Sequence, residues 1–218
     1  MLGSFIRHGL TEAESAGEAL LQVLAGSDTS ATTIRIVLLS LLSNPHAYSA
    51  LQSEIDSAIA ANKISSPIKD SEARNLPYLQ AVIKEGLRIL PPAAGAGYRT
   101  VPPGGDTING MFIPAGTQIG SSPLSIHHCK ATFGEDAEIF RPERWLEASG
   151  ETLALMNSTG DLVFHYGKWM CLGKPVAMME FNKVFVELLR RFDFLWVRPE
   201  KGVELFNAVS SEWCLPGY

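Results

Sequence analysis

The sequence predicts a mainly α-helical chain carrying small β-sheets, and three observations predict it. Thr11 with Glu14 three residues on is a capping-box pair, and a long helical stretch follows it as far as Asn44-Pro45. A second amphipathic stretch stops at Pro91-Pro92. Between residues 95 and 119 the texture changes to frequent Gly and Pro with short β-like pieces.

Taken in order, the long helix runs from Thr11 towards Ser43 and is stopped by Asn44-Pro45. A second helix spans about His46 to Ala61, with Tyr48, Leu51, Ile55 and Ile59 near one face. Lys63 to Asp70 is loop, broken by Pro67. A third helix covers roughly Leu79 to Ile89. Tyr98–Val101, Thr107–Ile108, Met111–Ile113 and Gln118–Ile119 read as one small antiparallel sheet, with turns at Pro102–Gly105 and Asn109-Gly110. His127 and His128 follow a β segment. Phe140 to Phe164 is mostly irregular apart from a short helical piece near Trp145. A strong helix occupies about Leu172 to Arg191, and the tail from Phe192 returns to short strands.

Composition narrows the function classes. With 218 residues, 46% hydrophobic and 19% charged, the chain can bury a core as one large domain or two small ones. A formal charge of −5 argues against a phosphate backbone as partner, which requires clustered Lys and Arg, so nucleic acid is excluded as an expectation. Three cysteines, Cys129, Cys171 and Cys214, are too few and too scattered for a disulfide framework or a zinc site. No apolar run reaches the roughly eighteen residues of a membrane span. Residues 1–9 lack the pattern of a signal peptide, so the chain as written reads as unanchored.

One run concentrates the chemistry: F-H-Y-G-K-W-M-C-L-G at 164–173. Cys171 follows Phe164 and Gly167, precedes Gly173, and a helix-like apolar segment begins behind it. Glycines so spaced let the backbone fold round the sulfur and let a flat ligand approach. A thiolate at a helix N-terminus is stabilised by unpaired amides and the helix dipole. That combination suits an axial thiolate ligand to haem iron. The alternative is a buried cysteine acting as a small hydrophobe.

Three further motifs frame it. A-G-S-D-T-S at 25–30 lies inside the long helix although its residues are poor helix formers. Thr29 either back-bonds to a carbonyl one turn earlier at a bend, or pairs with Asp28 to deliver protons to bound dioxygen beside the space left by Gly26. Glu85 and Arg88 share a helix face three residues apart. Solvated, such a pair contributes well under about 1 kcal/mol. Pro142-Glu143-Arg144-Trp145 offers a second guanidinium, and a buried Glu85 shared by Arg88 and Arg144 would clamp that segment to the helix.

These four motifs, in this order, resemble the C-terminal part of a cytochrome P450, a haem-thiolate monooxygenase. The linking text I-N-G-M-F-I-P-A-G at 108–116 and F-G-E-D-A at 133–137 matches too, and so does C-L-G-K-P-V-A-M-M-E after the cysteine. The texture is similar to fungal members of the pisatin-demethylase type. The resemblance covers essentially the whole chain, from the distal I helix through the cysteine loop to the L helix. It implies a single domain at 1–218 whose N-terminal part is absent, an incomplete P450 fold.

The resemblance implies roles residue by residue. Cys171 is the axial thiolate of haem b; Glu85, Arg88 and Arg144 form a structural charge triad; Asp28 and Thr29 are the proton-delivery pair. Arg99 falls near the family's propionate-binding arginine, the alternative being an exposed strand residue. Phe164, Gly167, Lys168, Trp169 and Gly173 belong to the cofactor-binding loop. Two departures stand out. Trp169 occupies a position commonly basic in the family, so that either Lys168 substitutes or Trp169 packs on the haem edge through its indole. His165 stands where a glycine is usual; it, like His127 and His128, reads either as a residue near a propionate or as ordinary packing.

By the same resemblance, the complete parent takes electrons from NADPH through a separate NADPH–cytochrome reductase and uses dioxygen on a small apolar organic substrate. It works at the cytosolic face of the endoplasmic-reticulum membrane. Two rivals stay open. A haem-thiolate isomerase or dehydratase would not need the Asp28-Thr29 pair. A truncated, non-catalytic chain without stable haem binding is favoured by the expected loss of the family's preceding half.

Overall fold

The computed structural model describes residues 2–95 and 97–195. Ten α-helices are found there: α1 (Leu2–Arg7), α2 (Glu12–Leu42), α3 (Pro45–Ala60), α4 (Asp70–Ala73), α5 (Pro77–Ile89), α6 (Pro123–His127), α7 (Lys130–Phe133), α8 (Arg144–Glu147), α9 (Gly150–Gly160) and α10 (Lys174–Leu189). Four short strands, β1 (Arg99–Thr100), β2 (Asp106–Ile108), β3 (Met111–Ile113) and β4 (Gln118–Ile119), interrupt them.

Local chemistry sets the helix ends. At the start of α2 the Glu14 amide donates to Thr11 Oγ1 at 3.3 Å and the Thr11 amide donates back to Glu14 Oε2 at 2.8 Å, the capping box read from sequence. Asn44 Oδ1 accepts the Ala47 amide at 3.2 Å and Pro45 sits in the first turn of α3, so one Asn-Pro pair ends α2 and begins α3. Helix α5 has no side-chain cap of its own. Glu54 of α3 supplies one, accepting the Tyr78 and Leu79 amides at 2.8 and 2.9 Å. Burial pushes the Glu54 carboxyl above its usual range even though those two amides work in the opposite direction.

The core forms where α2, α3, α5 and α10 pack, around Val37, Leu41, Leu51, Ile83, Phe181 and Phe185. Gly86 lets α5 approach α2 closely: a Cβ there would lie 2.2 Å from Val37 Cγ2. A smaller cluster of Ala81, Phe133, Ala137, Trp145 and Met156 lies on the other side of α5.

The structure corrects several expectations. The strands form two separate antiparallel pairs, β1 with β4 and β2 with β3, rather than one sheet. Asn109-Gly110 makes the β2–β3 turn with φ of 50° and 78°, as a two-residue hairpin requires. Residues 150–160, expected to be irregular, are helix α9. Its ends are glycines and only Met156 is buried, so it carries little periodic signal. Helix α6 precedes His128, where a β segment was expected. In α3 the inward face is Ala47, Leu51, Ile55 and Ala58, while Ile59 is 39% exposed. Phe192–Leu195 holds no strand, and the expected strands beyond it, with Cys214, lie outside the described residues. Among the described residues no helix is long and apolar enough to cross a membrane.

Candidate functional site

Glu85, Arg88 and Arg144 come together in a sealed web. The Glu85 carboxylate accepts five donors: Arg88 Nε (2.9 Å) and Nη2 (2.8 Å), Arg144 Nε (3.0 Å), the Arg141 amide (2.8 Å) and Trp145 Nε1 (2.9 Å). Every donor of the Arg88 guanidinium is used, the remainder going to the carbonyls of His127, Ala137 and Ile139. Arg144 is saturated likewise by Glu85, the Phe133, Asp136 and Ile139 carbonyls, and Asp136 Oδ1. Asp136 supplies the second negative charge, so the four formal charges cancel. Its partial burial alone would raise its carboxyl, but hydrogen bonds from Arg144 and Arg141 hold it below the usual carboxylate range.

Sequence reasoning quoted Asp136 and Trp145 inside motifs without giving either a task. A tryptophan N–H in an apolar cluster needs an acceptor, and that requirement could have pointed Trp145 at Glu85. His127 belongs to the web's surroundings: it is buried, its Nδ1 is 2.7 Å from the Pro123 carbonyl, and burial depresses its pKa. His128 Nε2 reaches the Ile89 carbonyl at 2.9 Å. Both histidines therefore pack on backbone.

The cysteine loop is built differently. The Cys171 amide donates to the Phe164 carbonyl at 2.8 Å and closes the loop, and Gly167 (φ 64°) opens the 3-10 turn Gly167–Trp169. Gly173 is the residue before α10, and a Cβ there would meet Cys171 Sγ at an ordinary 3.6 Å. The thiol of Cys171 is free and exposed. Around it stand Tyr166 (84% exposed), Trp169 (60%), Met170 (50%) and Leu172 (92%). Phe164 is half-buried against the main core, with Lys174 Nζ 5.3 Å from its ring centroid.

Arg99 reaches this loop from β1, its guanidinium carbon 4.9 Å from the centroid of the Trp169 ring. Lys168 Nζ lies 5.5 Å from the same centroid. A Cβ on Gly97 would lie 3.5 Å from His165 Nε2, so the histidine faces the segment leading into β1.

Asp28 and Thr29 are half-buried in the unbroken helix α2. The Thr29 hydroxyl donates to the Ala25 carbonyl at 2.7 Å, and Ser27 and Thr33 make the same bond one turn back. Among the described residues Asp28 has no side-chain hydrogen bond or ion pair. Gly26, open to space on its Cβ side, lines a cavity of about 580 Å³ between α2 and α10.

An exposed thiol thus stands on a closed loop before a helix, with apolar side chains next to it in the loop and two cations on the ring of Trp169. The family model described as Cytochrome P450 matches residues 5–209, and the chain belongs to that family. It is 50% identical over 215 residues to the cytochrome P450 monooxygenase ABA1 of Pyricularia oryzae, covering 97% of this chain and 42% of that protein. It is 45% identical over 207 residues to the aba1 monooxygenase of Botryotinia fuckeliana, covering 95% and 41%. It is also 38% identical over 184 residues to pisatin demethylase of Fusarium vanettenii, covering 84% and 35%. The chain thus spans about two fifths of the length of these curated relatives.

Proposed function

We propose that this chain is the thiolate-side, haem-binding portion of a monooxygenase acting on a small apolar organic substrate. The observation that carries the reading is Cys171, an exposed free thiol held in the closed loop 164–171 immediately before α10. The residues fit the group. Cys171 brings the loop's thiol, the apolar side chains beside it would cover a flat ring, and Arg99 and Lys168 would face the ring's carboxylates. When bound, haem supplies dioxygen activation and substrate oxidation, with electrons from NADPH delivered by a separate reductase. The setting of the complete protein is the cytosolic face of the endoplasmic-reticulum membrane.

Each residue then has a task. Cys171 ligates the iron. The Glu85–Arg88–Arg144 web holds residues 133–145 against α5. Thr29, whose hydroxyl proton is given to the Ala25 carbonyl, keeps lone pairs free to accept a hydrogen bond, and Asp28, without a side-chain partner among the described residues, passes protons towards it from solvent. A purely structural task for Thr29, relieving backbone cost within α2, is the second reading, favoured by that same 2.7 Å bond.

The test is spectroscopic and uses the complete parent. The reduced carbon-monoxide complex shows the red-shifted absorption of a thiolate adduct, Cys171→Ala abolishes it, and Cys129→Ala leaves it. A normal band in Cys171→Ala overturns the ligand assignment. In the same preparation Thr29→Ala retains haem but diverts reducing equivalents to hydrogen peroxide; unchanged coupling would favour the structural reading.

A further inference from the structure

Helix α2 carries an apolar seam that its own fold covers at one end only. Gly17, Leu20, Leu24, Ser27, Ala31 and Ile34 follow one another at spacings of three, four, three, four and three. That spacing keeps them on one face and is the repeat of a coiled-coil seam. At the far end Ile34 packs against the main core. At the near end Leu20 and Leu24 are 61% and 60% exposed, and Leu21 and Val23 beside them are open to a similar degree. Of residues 12–24 only Ser15 is buried, and it lies on another face of the helix.

Between the two ends the seam borders a groove. Ser27, Ala31 and Ile34 form one wall and Met179, Lys183 and Val184 of α10 the other, round about 580 Å³ of space. A cavity of about 150 Å³ accommodates a benzene molecule, so this groove has room for two leucine side chains. One half of α2 therefore offers side chains that fit a groove, and the other half offers the groove. The two cannot meet within one chain, because both lie on the same face of one unbroken helix.

Charge follows the same division. Residues 12–24 carry Glu12, Glu14 and Glu18 and no cation. Beside the groove, Arg35 and Lys183 form no ion pair among the described residues. Of the acids lining the groove, Glu187 is taken by Arg190 and Arg191, and Glu180 is the exception without an ion pair among the described residues.

We propose that this face is a self-association surface whose partner is a second copy of the chain. The two α2 helices run antiparallel about a two-fold axis beside Ala25 and Gly26, and each copy seats Leu20 and Leu24 in the α2–α10 groove of the other. In this register large residues face small ones: Leu20 meets Ala31, Leu24 meets Ser27 and Ile34 meets Gly17. Glu14 of each copy comes alongside Arg35 of the other. Residues 17–34 overlap over about 27 Å. Each exposed apolar side chain at 20, 21, 23 and 24 offers on the order of 100 Å². Two copies then bury on the order of 800 Å² from these alone, and the groove walls carry the total past the ~1,000 Å² that a specific interface needs. Thr29 lies about half a turn round α2 from Leu20, off the pairing face, and the proposal does not rest on the haem-binding reading.

The experiment is sedimentation velocity on the full 218-residue chain across a hundredfold range of concentration. The wild-type chain reaches a dimer plateau and dissociates on dilution. Leu20→Lys with Leu24→Lys is monomeric throughout and keeps the wild-type helical circular dichroism, since both side chains are exposed already. Ala31→Phe fills the groove and weakens the dimer without touching either leucine. Arg35→Glu raises the dimer dissociation constant about tenfold, since an ion pair is lost twice by symmetry and a repulsion replaces it. Adding Glu14→Arg to Arg35→Glu recovers most of that loss. Phe112→Lys, on the exposed β2–β3 hairpin, leaves the dimer intact.

A monomeric wild-type chain would overturn the proposal, and so would aggregates that pass no dimer plateau. A dimer that survives the two lysines, or one that Phe112→Lys abolishes, would place the contact elsewhere. An Arg35→Glu dimer of unchanged affinity would overturn the antiparallel register. Recruitment to phosphatidylcholine vesicles that the two lysines abolish, with a monomeric chain in solution, would make the seam a lipid-binding face. An equimolar N-terminal polypeptide of the parent that converts the dimer into a one-to-one complex would reassign the seam to that polypeptide.

Discussion

Glu85 and Cys171 occupy opposite kinds of surroundings in one fold. Glu85, Arg88 and Arg144 are buried, every donor of the two guanidiniums is used, and the part-exposed Asp136 balances the second positive charge at the edge of the web. The cysteine loop is open: its thiol is free, Leu172 is 92% exposed, and of the cations beside it Lys174 pairs with Asp161 while Arg99 and Lys168 have no carboxylate partner among the described residues. The web completes itself with its own residues, whereas the loop points its sulfur, apolar groups and positive charge outward. Polar groups that satisfy one another rigidify a structure; polar groups held without partners are arranged for something else.

Breaking the web has the largest expected effect. Glu85→Ala strands two buried guanidiniums and an indole N–H, at a cost of about 3–5 kcal/mol. In urea denaturation the midpoint falls accordingly, and helical signal is lost cooperatively. Cys171→Ala under the same conditions shifts the midpoint little. Equal shifts in the two variants would erase the contrast between a sealed frame and an open site.

A smaller effect tests how the frame is seated on α2. Gly86→Ala places a Cβ 2.2 Å from Val37 Cγ2 in a fully buried contact, which overpacks the core by about 1–3 kcal/mol. The better helix propensity of alanine offsets up to about 1 kcal/mol of this. Adding Val37→Ala removes the clashing methyls, so the double variant is more stable than additive costs predict. Strict additivity would show that α5 and α2 do not meet at this point.

The same contrast explains what could be read from the sequence. The capping box, Asn44-Pro45, Pro91-Pro92 and the Asn109-Gly110 turn are local signals whose physics acts over a few residues, and each falls where the structure has it. The convergence of Glu85, Arg88 and Arg144 was legible because Arg144 follows a proline-marked segment that needs an anchor. What escaped was tertiary. Helix α9 buries only Met156 and carries glycines at both ends, so periodicity could not find it. Asp136 matters only once the Arg144 guanidinium is buried beside it, and Glu54 caps a helix 24 residues further on. The stacking of Arg99 on Trp169 joins residues 70 positions apart, and no spacing rule reports such a contact.

The smallest effect belongs to the open site and has the opposite sign. His165 has φ 60° and ψ −171°, a region open to glycine and costly to any residue with a Cβ. Strain of this kind costs about 1–3 kcal/mol. Replacing histidine by glycine removes it but gives the unfolded chain more freedom, an offset of about 0.4–1 kcal/mol. His165→Gly is therefore stabilised by roughly 1 kcal/mol in urea unfolding, the net of those two effects. His165→Ala keeps the Cβ and the strain, so it is no more stable than wild type, and that difference separates backbone relief from loss of the imidazole. The ring of His165 faces Gly97, just ahead of the strand that carries Arg99. The glycine variant should thus be more stable yet hold the β1 segment less firmly, read as faster amide exchange at Tyr98 and Arg99. A less stable His165→Gly would mean that the imidazole contact outweighs the strain, and the loop would then be a braced element like the web.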